Sequence, residues 1–481
     1  MFSDKLTTLL QSFSKYELNR FGKFLRSPWF NEQEDVIRLY ELLRLLLRKN
    51  ENALRELDKK SVWKSLYDKR PYDDAQLRRL ASDLTQLGLQ FLSEEKRREN
   101  PLRELLDQQD ALDRPELRKH LGSLEKQAMK ILEQEKTPDV AHYLQSYQLH
   151  WQIFNRATKV VATSDYLEKL APADHALDNF YLLQKLKFYT AWLIFSGMRA
   201  GAHEVSLPDG FLQMAESEKY RNNPLIATYR QVLHCLIDPE QETHYRQLRT
   251  LLNTHAAQIG KSDLRECYLI AQNYCAFKIN QGRTEYYQEN FELYKSIIEQ
   301  EILLENGQLQ EGIFKNIVTT GLRVGEYDWV ENFIREYAEF LPQSIRENAR
   351  SFNLANLYSR RREHARVIEL LRNVEYSDVV YALGSKVLLV YTYYETNEML
   401  ALDSLLDSFR IYLRRNKQIS KNLKTEYGNF LSFVKKLSAL LPRQQTEIEQ
   451  VRQRIEKCKS VTSKKWLLEK ADELQKPKSN F

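Results

Sequence analysis

Residues 311–342 read EGIFKNIVTTGLRVGEYDWVENFIREYAEFLP, and this stretch decides the fold. Apolar side chains recur every three or four residues on both sides of Gly325-Glu326-Tyr327, and Pro342 closes the run. That pattern predicts two antiparallel helices joined by a tight turn. Similar spacing predicts helix pairs at 263–281 with 285–304, 348–361 with 364–373, and 384–396 with 398–414. With Gly325, Arg362 and Asn397 as equivalent turn positions, the units are 37 and 35 residues long. Gly282 lies 43 residues before Gly325, so an insertion is expected there. Units in the middle thirties are expected of stacked helix pairs, because one pair cannot bury its apolar stripe alone.

Composition agrees with an all-α chain. Hydrophobic residues make up 42% and charged residues 29% of 481, which suits folded protein rather than disorder. Gly (14) and Pro (12) are about 5% of the chain, against an average near 12%, which leaves little room for glycine-rich phosphate loops. No strand-like alternation of useful length occurs. Four cysteines (Cys235, Cys267, Cys275, Cys458) lack framework spacing, so unpaired thiols in a reducing, cytoplasmic setting are expected. The opening MFSDKLTTLL has no signal-peptide core, and the longest apolar stretch, 189–198, is far short of a membrane span.

Before the array, Ser14-Lys15-Tyr16-Glu17 has the form of a capping box, and Ser27-Pro28 ends the helix it starts. A second helix spans Glu34 to Arg48, and Asp73 caps a third that carries Leu77, Leu80, Leu84, Leu87 and Phe91. The polar run 96–101 marks a boundary. Helices are then expected at 115–135, 138–157, 174–197, 208–219, 223–237 and 240–257, with breaks at Pro172 and Gly201 among others. Residues 444–459 read as a capping helix with Ile448, Val451 and Ile455 on one side, on which Trp466-Leu467-Leu468 could dock. The expected divisions are 1–98, 99–262, 263–414, 415–475 and a disordered tail, 476–481.

GEYDWVENFIREYAEFLP resembles tetratricopeptide repeats in its Gly-x-Tyr turn, spaced apolar positions and closing proline. The next units follow with His364, Val367, Leu371 and Val374, then Met399, Leu402, Leu406 and Phe409. Ile317, Leu354 and Leu389 fill the first-helix Leu column, and Tyr358 and Tyr393 its aromatic column. The chain departs from the pattern where Gly321 replaces the aromatic. It also departs where Val318, Val390, Val330, Val367 and Leu402 stand in columns that favour small residues, while Ala355 keeps one. The whole chain also looks like a group of long bacterial helical proteins that open with a helix and Ser27-Pro28-Trp29-Phe30-Asn31, a likeness that implies no particular activity.

The resemblance implies an α-α superhelix with an open first-helix face. Its groove columns fall on Lys315, Thr319, Arg323, Asn356, Arg360, Tyr391 and Tyr394. Three cations, polar hydrogen-bonders and two phenols would suit an acidic segment of a protein partner. The alternative is nucleic acid. Residues 401–481 hold 18 Lys+Arg and 9 Asp+Glu, with Arg414, Arg415, Lys417, Lys421 and Lys424 as an anion-binding face. Tyr427, Phe430 and Phe433 lie among these charges at helical spacing, which favours core over base stacking. No phosphate loop, dinucleotide fingerprint, nucleophile elbow or paired-His zinc helix occurs, so the expectation is a non-catalytic scaffold without cofactor, metal or membrane span. His142 with His150, His234 beside Cys235, and Cys267 with Cys275 lack ligand spacing.

Overall fold

The caps named above start helices. The computed structural model describes residues 4–49, 57–112, 114–158, 166–197, 206–371 and 379–475; Met198, Gly201, Val374 and the tail 476–481 lie outside them. The described residues hold 23 α-helices, three short 3-10 turns and no strand, so the fold is all-α. α1 (Asp4–Ser12) precedes α2 (Lys15–Leu25), where Ser14 Oγ accepts from Glu17 N–H and Glu17 accepts from Ser14 N–H. α3 (Glu34–Lys49), α4 (Lys59–Tyr67) and α5 (Asp74–Arg98) follow, with Asp73 accepting from the N–H groups of Ala75 and Gln76. Phe21, Tyr40, Leu84 and Phe91 bury themselves where α1 to α4 pack around α5. In the Ser27–Asn31 turn, buried Asn31 donates to Leu25 O and Phe30 stacks 4.2 Å from Phe24, which fixes how the chain leaves α2.

Asn100 caps α6 (Pro101–Ala111), which forms a second cluster with α7 (Leu121–Gln134) and α8 (Val140–Thr158) through Leu102, Leu106, Ala128, Leu132 and Leu149. Residues 115–120 are a 3-10 turn rather than the start of α7. α9 (Tyr166–Gly197) runs through Pro172 instead of breaking there. Proline removes one backbone hydrogen bond, and the burial of Ala173, Ala176, Leu182, Leu183 and Leu186 along the helix offsets that cost. Contacts cluster the chain into two compact units, Met1–Gln184 and Lys185–Phe481, so the polar run 96–101 lies inside the first.

The second unit continues with α10 (Phe211–Glu216), shorter than the expected 208–219, and then pairs its helices. These are α11 (Pro224–Ile237) with α12 (Glu242–His255), α13 (Lys261–Asn280) with α14 (Tyr286–Glu299), and α15 (Glu311–Val324) with α16 (Tyr327–Tyr337). α17 (Arg346–Arg360) with α18 (His364–Leu371) and α19 (Val379–Glu395) with α20 (Met399–Arg415) complete the regular hairpins. First helices are neighbours from α15 to α17 and from α17 to α19, and the second helices α16 and α18 pack onto α17 and α19. α14 stops at Glu299, short of the expected 304. The insertion 300–310 folds back instead, with Ile302 and Leu309 buried and Arg265 holding the carbonyls of Ile302 (2.8 Å) and Leu304 (2.9 Å). α21 (Lys421–Ser438), α22 (Gln445–Lys457) and α23 (Lys464–Gln475) follow, and Ile448, Val451 and Ile455 are buried as their spacing predicts.

The turn positions share one backbone state. Gly282 (φ 90°), Gly325 (86°), Arg362 (59°) and Asn397 (60°) are all left-handed, the conformation that ends a helix and reverses the chain. Gly321 explains how the second-helix column tolerates bulk. A Cβ there would lie 2.4 Å from Val330 Cγ2, so the missing aromatic and the oversized Val330 compensate each other. Val330, Val367 and Leu402 are all fully buried.

Between hairpins, Glu331 on α16 accepts from Arg361 (2.5 Å), Arg335 (2.6 Å) and Tyr358 Oη (3.0 Å). Burial pushes the Glu331 carboxyl up, but the bonds from Arg361 and Tyr358 outweigh it and hold the group below its ordinary 4.5.

Two predictions follow from this geometry. At Gly325 an added Cβ meets nothing within 4 Å, so Gly325→Ala should cost about 1 kcal/mol from backbone conformation alone, while Arg362→Gly should gain about 0.5 kcal/mol in urea unfolding. A gain from Gly325→Ala would refute the turn assignment. A carboxyl depressed in the folded state stabilises above its unfolded value and loses that contribution as pH falls through the folded one. Arg361→Ala should therefore cost about 2 kcal/mol at neutral pH, with the deficit shrinking below about pH 4. A deficit unchanged by acid would count against the Glu331 pairing.

A cationic cleft between α15 and α17

Five of the seven groove residues expected from the sequence come together. Lys315, Thr319 and Arg323 on α15 and Asn356 and Arg360 on α17 line a cleft of about 220 Å³. Val318, Leu322, Phe352 and Asn353 complete it. The helical period puts Lys315, Thr319 and Arg323 on one stripe, while Ile317 and Val318 turn inward, both nearly fully buried. Phe352 is held from behind, since a Cβ on Gly384 of α19 would lie 2.7 Å from its ring.

The electrostatics of the cleft are one-sided. Lys315, Arg323 and Arg360 are exposed, and none forms an ion pair among the described residues. Arg323 lies 5.6 Å from the Tyr287 ring centroid, a cation–π contact that leaves its guanidinium hydrogens free. Asn353 Nδ2 donates to Ala349 O at 2.7 Å, and Asn356 Nδ2 donates to Phe352 O at 2.9 Å. Each amide therefore keeps its oxygen and one N–H for other partners.

Tyr391 and Tyr394 do not join this cleft. Trp466 of α23 stacks on Tyr391 at 4.3 Å and meets Tyr394 edge-on at 5.3 Å. Its Nε1 donates to Glu395 (3.2 Å), which also pairs with Lys470 (3.0 Å). Burial raises both phenols to about 12. Leu467 is fully buried, whereas Trp466 lies on α19 rather than on the capping helix α22. Sequence reasoning set Trp466 on the capping helix and missed Glu395 and Lys470, because these partners lie about 70 residues apart in the chain. It also missed Phe352 and Asn353, which line the cleft beside Asn356 on α17.

The basic face lies at the α20–α21 turn. Arg414, Arg415, Lys417 and Lys421 are exposed and Lys424 is half-buried, and none has an ion pair among the described residues. The cations Arg414 and Arg415 sit in the last turn of α20, where the helix dipole favours them. Phe430 is fully buried and Tyr427 packs 5.9 Å from Phe409, so these rings belong to the packing.

In the first unit an acidic cleft of about 720 Å³ includes Glu34, Asp35 and Asp73. All three carboxylates stand at the N-terminal ends of α3 and α5, where the helix dipole favours negative charge. Among the described residues no group of His, Cys, Asp and Glu is placed to hold a metal ion. His234 stacks on His244 at 4.9 Å. Burial raises the thiols of Cys235 and Cys275 to about 12 and raises Cys267 as well, which keeps all three protonated at neutral pH. No described helix is long and apolar enough to cross a membrane. The chain matches no protein-family model, curated protein or solved structure.

Proposed function

We propose that this protein is a non-catalytic interaction scaffold. Its second unit acts as a tetratricopeptide-like array, and the α15/α17 cleft takes an acidic segment of a partner protein. One observation carries the proposal: Lys315, Arg323 and Arg360 converge on a single cleft without carboxylate partners. Charge-assisted bonds from arginine to carboxylate are strong and often two-pronged, so a segment with spaced Asp or Glu fits this donor set. Four unpaired cysteines fit a cytoplasmic setting.

The unpaired cations at the α20–α21 turn support a second reading, binding of nucleic-acid phosphate. The buried aromatics weigh against it, since single-strand binders present rings for bases to stack on.

The two readings separate in one experiment. Binding of labelled oligo-glutamate and labelled single-stranded DNA is measured by anisotropy at low and moderate salt. Arg323→Glu with Arg360→Glu should weaken oligo-glutamate binding by about a hundredfold or more, since each lost charged bond is worth about 1.5–3 kcal/mol. Arg414→Glu with Arg415→Glu should leave it unchanged. If only DNA binds, and the second pair abolishes that binding, the scaffold reading gives way to the nucleic-acid one.

A further inference from the structure

Charge alone would make the α15/α17 cleft a poor discriminator, because exposed cations accept any anion. The floor of the cleft is different in kind. Val318 is 1% exposed, and Leu322 and Phe352 lie beside it, so an apolar base sits beneath the rim formed by Lys315, Arg323 and Arg360. The volume of about 220 Å³ equals roughly seven waters at about 30 Å³ each, below the range of about 300–1,000 Å³ typical of small-molecule pockets. It has room for one large side chain.

The amides suit a peptide backbone. Asn353 and Asn356 each donate one amide N–H to their own helix and keep a carbonyl oxygen and a second N–H, the acceptor and donor that a peptide unit matches. At α19 the corresponding face is already covered by Trp466. A bound segment can therefore extend from the cleft toward Tyr287, which underlies Arg323, but not across Tyr391 and Tyr394.

We propose that the cleft reads a short peptide segment in which one large apolar side chain is flanked by carboxylates. The apolar residue sits on Val318, Leu322 and Phe352, and the carboxylates meet the three rim cations. This assignment rests on the scaffold reading above and adds the recognition element that charge does not supply.

The test uses the full-length protein and two fluorescein-labelled oligo-glutamate peptides, one with a central leucine and one with a central alanine. Burying a leucine is worth about 1.5–3 kcal/mol, so the leucine peptide should bind about tenfold tighter or more. Thr319 is exposed on the cleft wall, and Thr319→Phe, which fills the space above the floor, should remove that advantage so that the two peptides bind alike. Equal affinity of the two peptides for the unaltered protein overturns the anchor and leaves the charge-based reading standing. Retention of the leucine advantage in Thr319→Phe also overturns it, by placing the anchor elsewhere. Failure of both peptides to bind overturns the scaffold reading itself.

Discussion

Two-sided burial of each second helix is the constraint on which the second unit depends. The apolar face of α16 puts Val330, Phe333 and Ile334 out of water against its own first helix, and α16 also packs on the next first helix, α17. Burying three such side chains is worth several kcal/mol, more than a free hairpin could gain from its turn or its helix propensity. The close approach of α16 to α15 requires a missing side chain, and Gly321 provides it. Once second helices are sandwiched in this way, first helices become neighbours, and a row of first-helix side chains is left over. Lys315, Thr319 and Arg323 belong to that row.

Charges inside the unit are treated differently from those at the cleft. Where hairpins meet, several buried and half-buried charges have found an opposite. Lys187 pairs with Asp263 at 2.5 Å, Arg249 with Glu289 at 2.8 Å, Lys278 with Glu240 at 2.7 Å, and Arg361 with Glu331 at 2.5 Å. A charge taken out of water without a partner costs several kcal/mol, so these seams pair by necessity. Cations left at the surface face no such penalty. The cluster in the α15/α17 cleft is nevertheless unusual here, because it surrounds an apolar floor rather than standing on an open helix face. Cations beside apolar surface can bind with both charge and area. Those at the α20–α21 turn offer charge over aromatics already used in packing.

The far end of the row is closed from within. α23 is fixed to α22 through Arg452–Asp472 at 2.7 Å and through Gln475 to Glu449 at 2.7 Å, and buried Leu467 and Ala471 anchor its inner side. The same helix carries Trp466 onto Tyr391 and Lys470 onto Glu395. The two tyrosines expected to face a ligand are thus part of the molecule's own packing.

Periodicity and turn chemistry were readable from the chain alone. The three-four spacing of apolar residues identified the hairpins, and Gly325, Arg362 and Asn397 marked turns that all proved left-handed. These are local signals, set by helix geometry and by which residues tolerate positive φ. Local signals misjudged Pro172, where burial along α9 outweighs one lost hydrogen bond, and the end of α14, where the insertion buries Ile302 and Leu309. The column that supplied Lys315, Arg323 and Arg360 was also the column that supplied Tyr391 and Tyr394. Residues on one helical stripe are equivalent in sequence, but whether such a stripe meets solvent depends on segments far along the chain. The sequence by itself determined that this protein is helical and where its pairs turn, because those choices are made within a few residues. Only the tertiary structure decided which first-helix faces stay open, because that depends on where α23 and its indole come to rest.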